Sequence, residues 1–222
     1  TIVSDGNESS LVRGSAIATL AVMLARIRSF ALSDKQIFPE YLLPALEGAA
    51  GEDSSEFVRV SYASHIGSLA ESALRFLDIA HQRRPRGAPG EGEWQEGFDA
   101  ELGVLRDMFV AVASEMLSGS SSLVKRTLLG SIHRLCELLG RDRTNNTLLP
   151  LIITVLNDRN DWELRRAFFH SLPGLASFVG REALEHFILP CISQALTDVH
   201  ELVVEGALQA LAELIELGLF SR

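Results

Sequence analysis

The side chains of this sequence that could bind a metal ion or act as nucleophiles are its six histidines and two cysteines. Metal sites bring such groups together at short spacings, commonly about two to five residues along the chain. The histidines are instead spread one to a predicted element, and Cys136 and Cys191 both lie in apolar helical stretches. Buried, reduced thiols are expected there, as in a reducing compartment. We therefore predict no metal ion and no cofactor.

Catalytic motifs are also missing from the sequence. It contains no glycine-rich phosphate loop, no G-x-S-x-G elbow and no protein-kinase signature. Its carboxylates are plentiful but fall on the polar faces of predicted helices. A net charge of -9 disfavours nucleic acid as a partner, because phosphate binding needs clustered Lys and Arg. We predict a protein that is not an enzyme and that binds other proteins.

The charged residues with the most regular spacing are an acid in a predicted turn and a base near the start of the next helix. Asp158 precedes Arg165 by seven residues, and Asp53 precedes Arg59 by six. Asp198 repeats the acid in a later unit, where Glu205 replaces the base. We predict that these acids and bases form a structural ladder between successive units. The alternative is a set of partly solvated ion pairs that contribute about 0–1 kcal/mol each.

Two tryptophans are candidates for contact with a partner protein. Trp162 begins a predicted helix, where its indole either packs between two units or remains exposed as a partner contact. Trp94 lies in the segment 81–98, HQRRPRGAPGEGEWQEGF, whose Pro and Gly residues disfavour a helix. We predict a flexible insertion over 81–98, with docking of a partner as the alternative.

The stretch Leu149–Ala176 shows which elements position these residues. Leu149, Ile152, Ile153 and Leu156 follow the spacing of a helix with one apolar face. A polar turn over 157–161 ends this helix, and Asp161 is the predicted N-cap of the next one. The apolar face of that second helix carries Leu164, Phe168, Leu172 and Leu175. Pro173 within it predicts a kink near residues 169–172.

This helix pair recurs along the chain. Anchor positions at 44, 110, 150 and 190 are spaced by 66, 40 and 40 residues, and three of them are prolines. We predict a single domain over 1–222 with a half repeat at 8–32 and pairs at 37–80, 99–140, 141–180 and 181–220. The partner helix of the half repeat is expected to precede Thr1, so the chain is interpreted as part of a larger protein. A spacing near 40 residues resembles the HEAT family, whose repeats run to about 40–47 residues. The resemblance implies an all-α fold, a right-handed α-solenoid.

Particular segments carry a closer resemblance. They are IFPEYLLP at 37–44, VRVSYASHIGSLAESALRFLD at 58–78, LNDRNDWELRRAFFHSLPGLASFVG at 156–180 and the closing LGL at 217–219. They are similar to the helical repeat region of the p150-type, protein-kinase-like regulatory subunits of class III phosphatidylinositol 3-kinase complexes, which act in vacuolar protein sorting.

This resemblance implies a scaffold segment between a protein-kinase-like domain and a WD-repeat propeller. It also implies the catalytic lipid kinase subunit and Beclin-type coiled-coil subunits as partners, with roles in endosomal sorting and autophagy. The implied location is cytoplasmic, at endosomal and autophagic membranes, with membrane contact only through the complex. The alternative from the residues is a HEAT-type cargo carrier or adaptor of the import-receptor kind, whose acidic groove would suit basic cargo.

Overall fold

The computed structural model describes residues 8–31, 34–83, 91–119 and 121–219, with the backbone alone at 91–96. These described residues form helices and the turns between them, with no β-strand. The all-α prediction is thereby confirmed, while the right-handed sense of the solenoid stays a prediction.

The helices alternate between two kinds, which we call A helices and B helices. The B helices are α1 (Ser10–Arg26), α3 (Glu56–Gln82), α5 (Ser122–Arg143), α7 (Trp162–Ala183) and α9 (Glu201–Glu216). The A helices are α2 (Leu43–Ala50), α4 (Glu91–Ser118), α6 (Leu149–Ile153) and α8 (Leu189–Ala195). Along the described chain, α1 therefore precedes four A–B pairs. The assignment of these pairs to one domain with the predicted repeat boundaries stays a prediction.

Proline shapes the start of three A helices. A π-helical turn precedes α2, α6 and α8, at Ile37–Leu42, Thr144–Leu148 and Leu184–Ile188. In each case a proline follows in the first turn of the α-helix, at Pro44, Pro150 or Pro190. The proline ring clashes with the carbonyl four residues earlier, which favours the wider π turn just before it.

Four of the five B helices begin at a side-chain cap, whereas the side chain of His200 at the start of α9 makes no capping hydrogen bond. Ser9, Ser55 and Ser121 accept a hydrogen bond from the backbone N–H three residues later, at Val12, Val58 and Val124. Asp161 does the same for Leu164 at 2.8 Å, as predicted for an N-cap. These caps define where α1, α3, α5 and α7 begin.

Two glycines end B helices where the next A helix must begin at once. Gly140 has φ +72° and Gly180 has φ +80°, the left-handed region that glycine adopts without steric cost. The non-helical residue within α7 is thus Gly180, whereas the residues around Pro173 keep helical dihedral angles. The backbone break in α7 is therefore at Gly180 near its end, and the kink at 169–172 stays a prediction.

The B helices pack in single file, each on the next, and the A helices cover one side of that file. Backbones approach closely where glycine removes a side chain. A Cβ atom at Gly67 would lie 2.8 Å from Cβ of Arg134 and 3.0 Å from the carbonyl oxygen of Ser131. Ser131 also donates a hydrogen bond from Oγ to the Ala63 carbonyl across the same α3–α5 contact. A continuous apolar core runs through all the pairs.

The predicted flexible insertion at 81–98 is wrong over part of its length. α3 continues to Gln82, and residues 91–98 form the first turns of α4. Residues 84–90 lie outside the described chain. Residues 91–96 contain good helix formers, Glu and Gln, whose helix propensity outweighs the effect of the glycine among them.

Candidate functional site: the junctions between helix pairs

The most buried charged group in the described chain is Arg165, in the first turn of α7. Its Nε and Nη2 atoms both donate to the carboxylate of Asp198, each at 2.9 Å. Its Nη1 atom donates to the carbonyl oxygens of Asp158 and Arg159, at 2.8 and 2.9 Å. The side chains of Arg165 and Asp198 are only 6% and 15% exposed. Arg165 therefore joins the turn of its own pair to the turn of the following pair.

Local structure explains why Asp198 is available to Arg165. Asp198 lies in the turn between α8 and α9, where its Oδ1 atom also accepts a hydrogen bond from the backbone N–H of His200 at 2.9 Å. The hydrogen bonds from Arg165 lower the pKa of Asp198, while burial opposes that effect and the His200 N–H assists it. The carboxylate is thus held in its charged form.

Trp162 reinforces the same junction. Its indole ring stacks on the imidazole ring of His200, with centroids 4.1 Å apart and planes 2° apart. Trp162 is half-buried and packs against the core. The geometry supports the packing interpretation of Trp162. Its role as a partner contact stays a prediction, with one face of the ring already covered.

A parallel set of contacts joins α5 to α7. Ser122 donates a hydrogen bond to the Asp161 carboxylate, and Arg126 forms an ion pair with Glu163. Burial raises the pKa of Asp161, but hydrogen bonds from Ser122 and from the Leu164 N–H outweigh it, so that the pKa is lowered overall. At the next junction Arg166 pairs with Glu205 at 3.0 Å, with both side chains more exposed than the Arg165–Asp198 pair.

Only some of the predicted ladder residues contact one another in the structure. It brings Arg165 and Asp198 together, and it uses the carbonyl of Asp158, whose carboxylate instead accepts from the Asn160 N–H at 3.1 Å. Arg59 pairs with Glu52 at 2.8 Å, one residue before the predicted Asp53. As a general ladder running through every pair, the arrangement stays a prediction. Trp94, the other predicted partner contact, lies among the residues whose side chains are not described.

His200 and Glu52 are among the contact residues that sequence reasoning missed, together with the Ser122, Arg126, Glu163 and Arg166 contacts described above. The signal for His200 was its place at the start of α9, matching the place of Trp162 near the start of α7. The α9 register was also misread by one residue. Val203 is buried as Leu164 is, and Glu205 pairs with Arg166, so Val204 rather than Glu205 occupies the position of Arg165. The shift arises because the N-caps of α7 and α9, Asp161 and His200, are 39 rather than 40 residues apart.

The next groups to consider are the side chains of the described chain that could react or bind a metal ion. Burial raises the pKa of the Cys136 thiol to about 11, which disfavours a reactive thiolate. Within the described residues, no three His, Cys, Asp or Glu side chains are grouped as metal ligands. No helix of the described ranges is long and apolar enough to span a membrane. Charged side chains at the junctions form ion pairs and hydrogen bonds between neighbouring helix pairs.

Helix pairs in single file, held by a shared core and by buried polar contacts at the junctions, define a protein of the α-solenoid class. The sequence model of one family, described as "PIK3R4-like, middle domain", matches residues 2–222. The chain belongs to this family.

Similar proteins carry a shared name. The chain is 40% identical over 222 residues to the probable serine/threonine-protein kinase vps15 of Dictyostelium discoideum, and the alignment covers 97% of this chain and 11% of that protein. It is 36% identical over 221 residues to serine/threonine-protein kinase vps15 of Schizosaccharomyces pombe, and the alignment covers 95% of this chain and 13% of that protein. The Arabidopsis thaliana protein VPS15 is 35% identical over 182 residues, covering 74% of this chain and 12% of its own length. The chain thus spans a small part of each relative.

Proposed function

We propose that this chain is a non-catalytic scaffold segment within the regulatory subunit of a class III phosphatidylinositol 3-kinase complex. Membership of the PIK3R4-like middle domain family supports the complex. The observation that carries the scaffold role is the Arg165–Asp198 contact, in which a buried charged pair fixes one helix pair against the next. A buried ion pair is a weak source of net stability, and orientation is its best supported use.

The partners we propose are the catalytic lipid kinase subunit and Beclin-type coiled-coil subunits. The proposed roles are endosomal sorting and autophagy, at the cytoplasmic side of endosomal and autophagic membranes. In this proposal the segment sets the distance and angle between domains on either side of it. Any protein-kinase-like activity belongs to a separate domain of the full-length subunit.

The test is co-expression of the full-length subunit, with and without residues 37–220, together with the lipid kinase and the coiled-coil subunits. Deletion is expected to reduce recovery of the assembled complex and its production of phosphatidylinositol 3-phosphate. Unchanged assembly and unchanged lipid phosphorylation would refute the scaffold role. Replacement by an unrelated helical array of equal length is the control that separates spacing from specific contact.

The cargo-carrier alternative makes a different prediction in the same system. A carrier of the import-receptor kind would bind basic peptides or a small GTPase through the array, in keeping with the net charge of -9. Assembly of the lipid kinase complex would then survive deletion of 37–220, while peptide binding would be lost. Nucleotide turnover that depends on these residues would argue against both.

A further inference from the structure

A short strap follows α1. Residues 27–31 form neither helix nor strand, and two arginines at the C-terminal half of α3 hold this strap. Arg75 donates a hydrogen bond from Nη2 to the carbonyl of Leu24, just before the strap, at 2.7 Å. Arg83, the C-cap residue of α3, donates from Nη1 to the carbonyl of Phe30 at 2.8 Å. The strap therefore lies along α3.

The large apolar side chains of the strap face inward. The ring of Phe30 stacks on that of Phe76 in α3, with centroids 4.4 Å apart and planes 9° apart. Ile27 is half-buried and packs against the core. Arg28 and Ser29, between them, are exposed. The strap thus presents these two polar side chains to solvent, while its apolar residues fasten it to the array.

Ser29 differs from the other serines that the structure describes outside helices. Ser9, Ser55 and Ser121 are N-caps whose hydroxyl oxygens accept a backbone hydrogen bond, and Ser54 is buried. Ser29 is exposed and caps no helix. Its hydroxyl group is therefore the one in this set that an enzyme can reach without disturbing the start of a helix.

Basic side chains accompany this hydroxyl group. Arg26 precedes Ser29 by three residues and Arg28 precedes it by one, and both arginines are exposed. Guanidinium groups pair with carboxylates, so this charge pattern favours a protein kinase with an acidic substrate groove. A kinase must also draw its substrate away from the rest of the fold. Because residues 27–31 belong to no helix or strand, local release of the strap requires little more than opening the Phe30 contacts.

We propose that Ser29 is a phosphorylation site for an arginine-directed protein kinase and that its phosphate pairs with Arg83. In the reaction, Oγ of Ser29 attacks the γ-phosphorus of ATP, and the new O–P bond forms as the bond to the oxygen that bridges the β- and γ-phosphates breaks. ADP leaves, and the hydroxyl proton passes to the catalytic aspartate of the kinase.

The phosphate brings a charge of about -1.5 to -2 to the strap. Arg83 already binds the carbonyl of Phe30, the residue next to Ser29, so its guanidinium group is placed to donate to the phosphate oxygens as well. Phosphorylation therefore fastens the strap to the C-terminal end of α3. It acts on the connection that follows the first B helix, away from the Arg165–Asp198 junction.

The first experiment measures phosphorylation of the folded full-length protein. The probe is the catalytic subunit of cAMP-dependent protein kinase, an arginine-directed enzyme, with Mg²⁺ and ATP, and a sample without added kinase gives the background. Peptide mass spectrometry reads the initial rate at Ser29. Arg26→Gln is expected to lower this rate at least about tenfold, because one guanidinium contact with the acidic groove is lost. Arg181→Gln, at an exposed arginine of α7, is the matched control and should leave the rate unchanged.

The second experiment tests the contact with Arg83. The phosphorylated protein is treated with a non-specific phosphatase, and the loss of phosphate from Ser29 is followed by the same method. In Arg83→Gln the phosphate is expected to leave at least about threefold faster than in the parent, because it has lost a charge-assisted hydrogen bond. Arg181→Gln again serves as the control.

Each other outcome overturns part or all of the proposal. A synthetic peptide of residues 22–34 that is phosphorylated while the folded protein is not would show that the strap is closed to kinases. Failure of both would show that Ser29 is not a substrate of this kind. Equal rates in the parent and in Arg26→Gln would exclude recognition through the arginines, and equal phosphate loss in Arg83→Gln would exclude the pairing with Arg83.

Discussion

Arg165 illustrates how one side chain connects two structural units. Its guanidinium group satisfies two carbonyls of its own turn and both oxygens of Asp198 in the next turn, so almost all of its donors are used. A guanidinium fork matches a carboxylate in this way and a lysine does not. The relative orientation of the two helix pairs therefore depends on planar hydrogen-bond geometry as well as on apolar packing.

Replacement of Arg165 by Met is expected to lower the free energy of unfolding by about 1–3 kcal/mol, because the partly buried Asp198 carboxylate would lose two charge-assisted hydrogen bonds. The matched control is Arg166→Met, which removes the more exposed pair with Glu205 and should cost about 0–1 kcal/mol. Denaturant unfolding of both variants measures the difference. Equal costs for the two substitutions would show that burial of the Arg165 pair has no energetic consequence.

The pH dependence of stability provides a second test of this residue pair. The folded-state pKa of Asp198 lies below its ordinary value, chiefly through the hydrogen bonds from Arg165. The charged carboxylate therefore stabilises the fold above the unfolded-state pKa of about 3.9, and this contribution is lost as pH falls through the lower folded-state value. In Asp198→Asn, unfolding free energy measured from pH 6 down to about pH 3 should decline less steeply than in the parent. An identical slope would contradict the assignment.

The helices owe their boundaries to a few residues whose effects are local. Serine and aspartate caps, prolines in the first turn and left-handed glycines can all be recognised in a sequence. This is why the pairing of helices around 149–176 and the N-cap at Asp161 could be predicted. Residues 91–98 could not be assigned correctly from composition, because a helix there extends a longer helix whose packing the local sequence does not reveal.

Glycine at the contact between two B helices is the element-scale feature that is simplest to test. Gly67→Ala is expected to lower the unfolding free energy by about 1–3 kcal/mol, because the new methyl group would overlap the Arg134 side chain and the Ser131 carbonyl of α5. Thermal or denaturant unfolding provides the measurement.

Gly130→Ala is the matched control on the facing helix. A Cβ atom at Gly130 would meet no heavy atom within 4 Å, so alanine should stabilise the protein by about 0.5–1 kcal/mol through its helix propensity. A stabilising effect of Gly67→Ala would show that α3 and α5 are not in close contact.

At the scale of the whole molecule, the sequence was informative because the fold repeats. A spacing near 40 residues and a recurrent apolar face predict stacked helix pairs even when no single pair could fold alone. Which polar residues meet across a junction was less accessible. Arg59 forms its ion pair with Glu52 rather than with Asp53. In α9 a one-residue shift places Val204, rather than Glu205, at the position equivalent to Arg165. Such choices depend on turn conformation, which a repeat period does not specify.

The single-file arrangement predicts which helices a destabilising core substitution affects. In a solenoid each unit is stabilised by its own contacts and by those with its neighbours, so a core defect should loosen nearby helices most. Leu172→Ala removes a fully buried side chain of α7, at an expected cost of about 2–5 kcal/mol. Its effects should therefore be graded along the chain rather than uniform.

Hydrogen exchange of the Leu172→Ala variant is the measurement that tests this account most directly. Amide exchange should rise most in α7 and in its neighbours α5 and α9, and it should remain close to the parent in α1. A uniform rise across all described helices would contradict the account, because it would mean that the helix pairs unfold as one globular unit rather than as a file of neighbours.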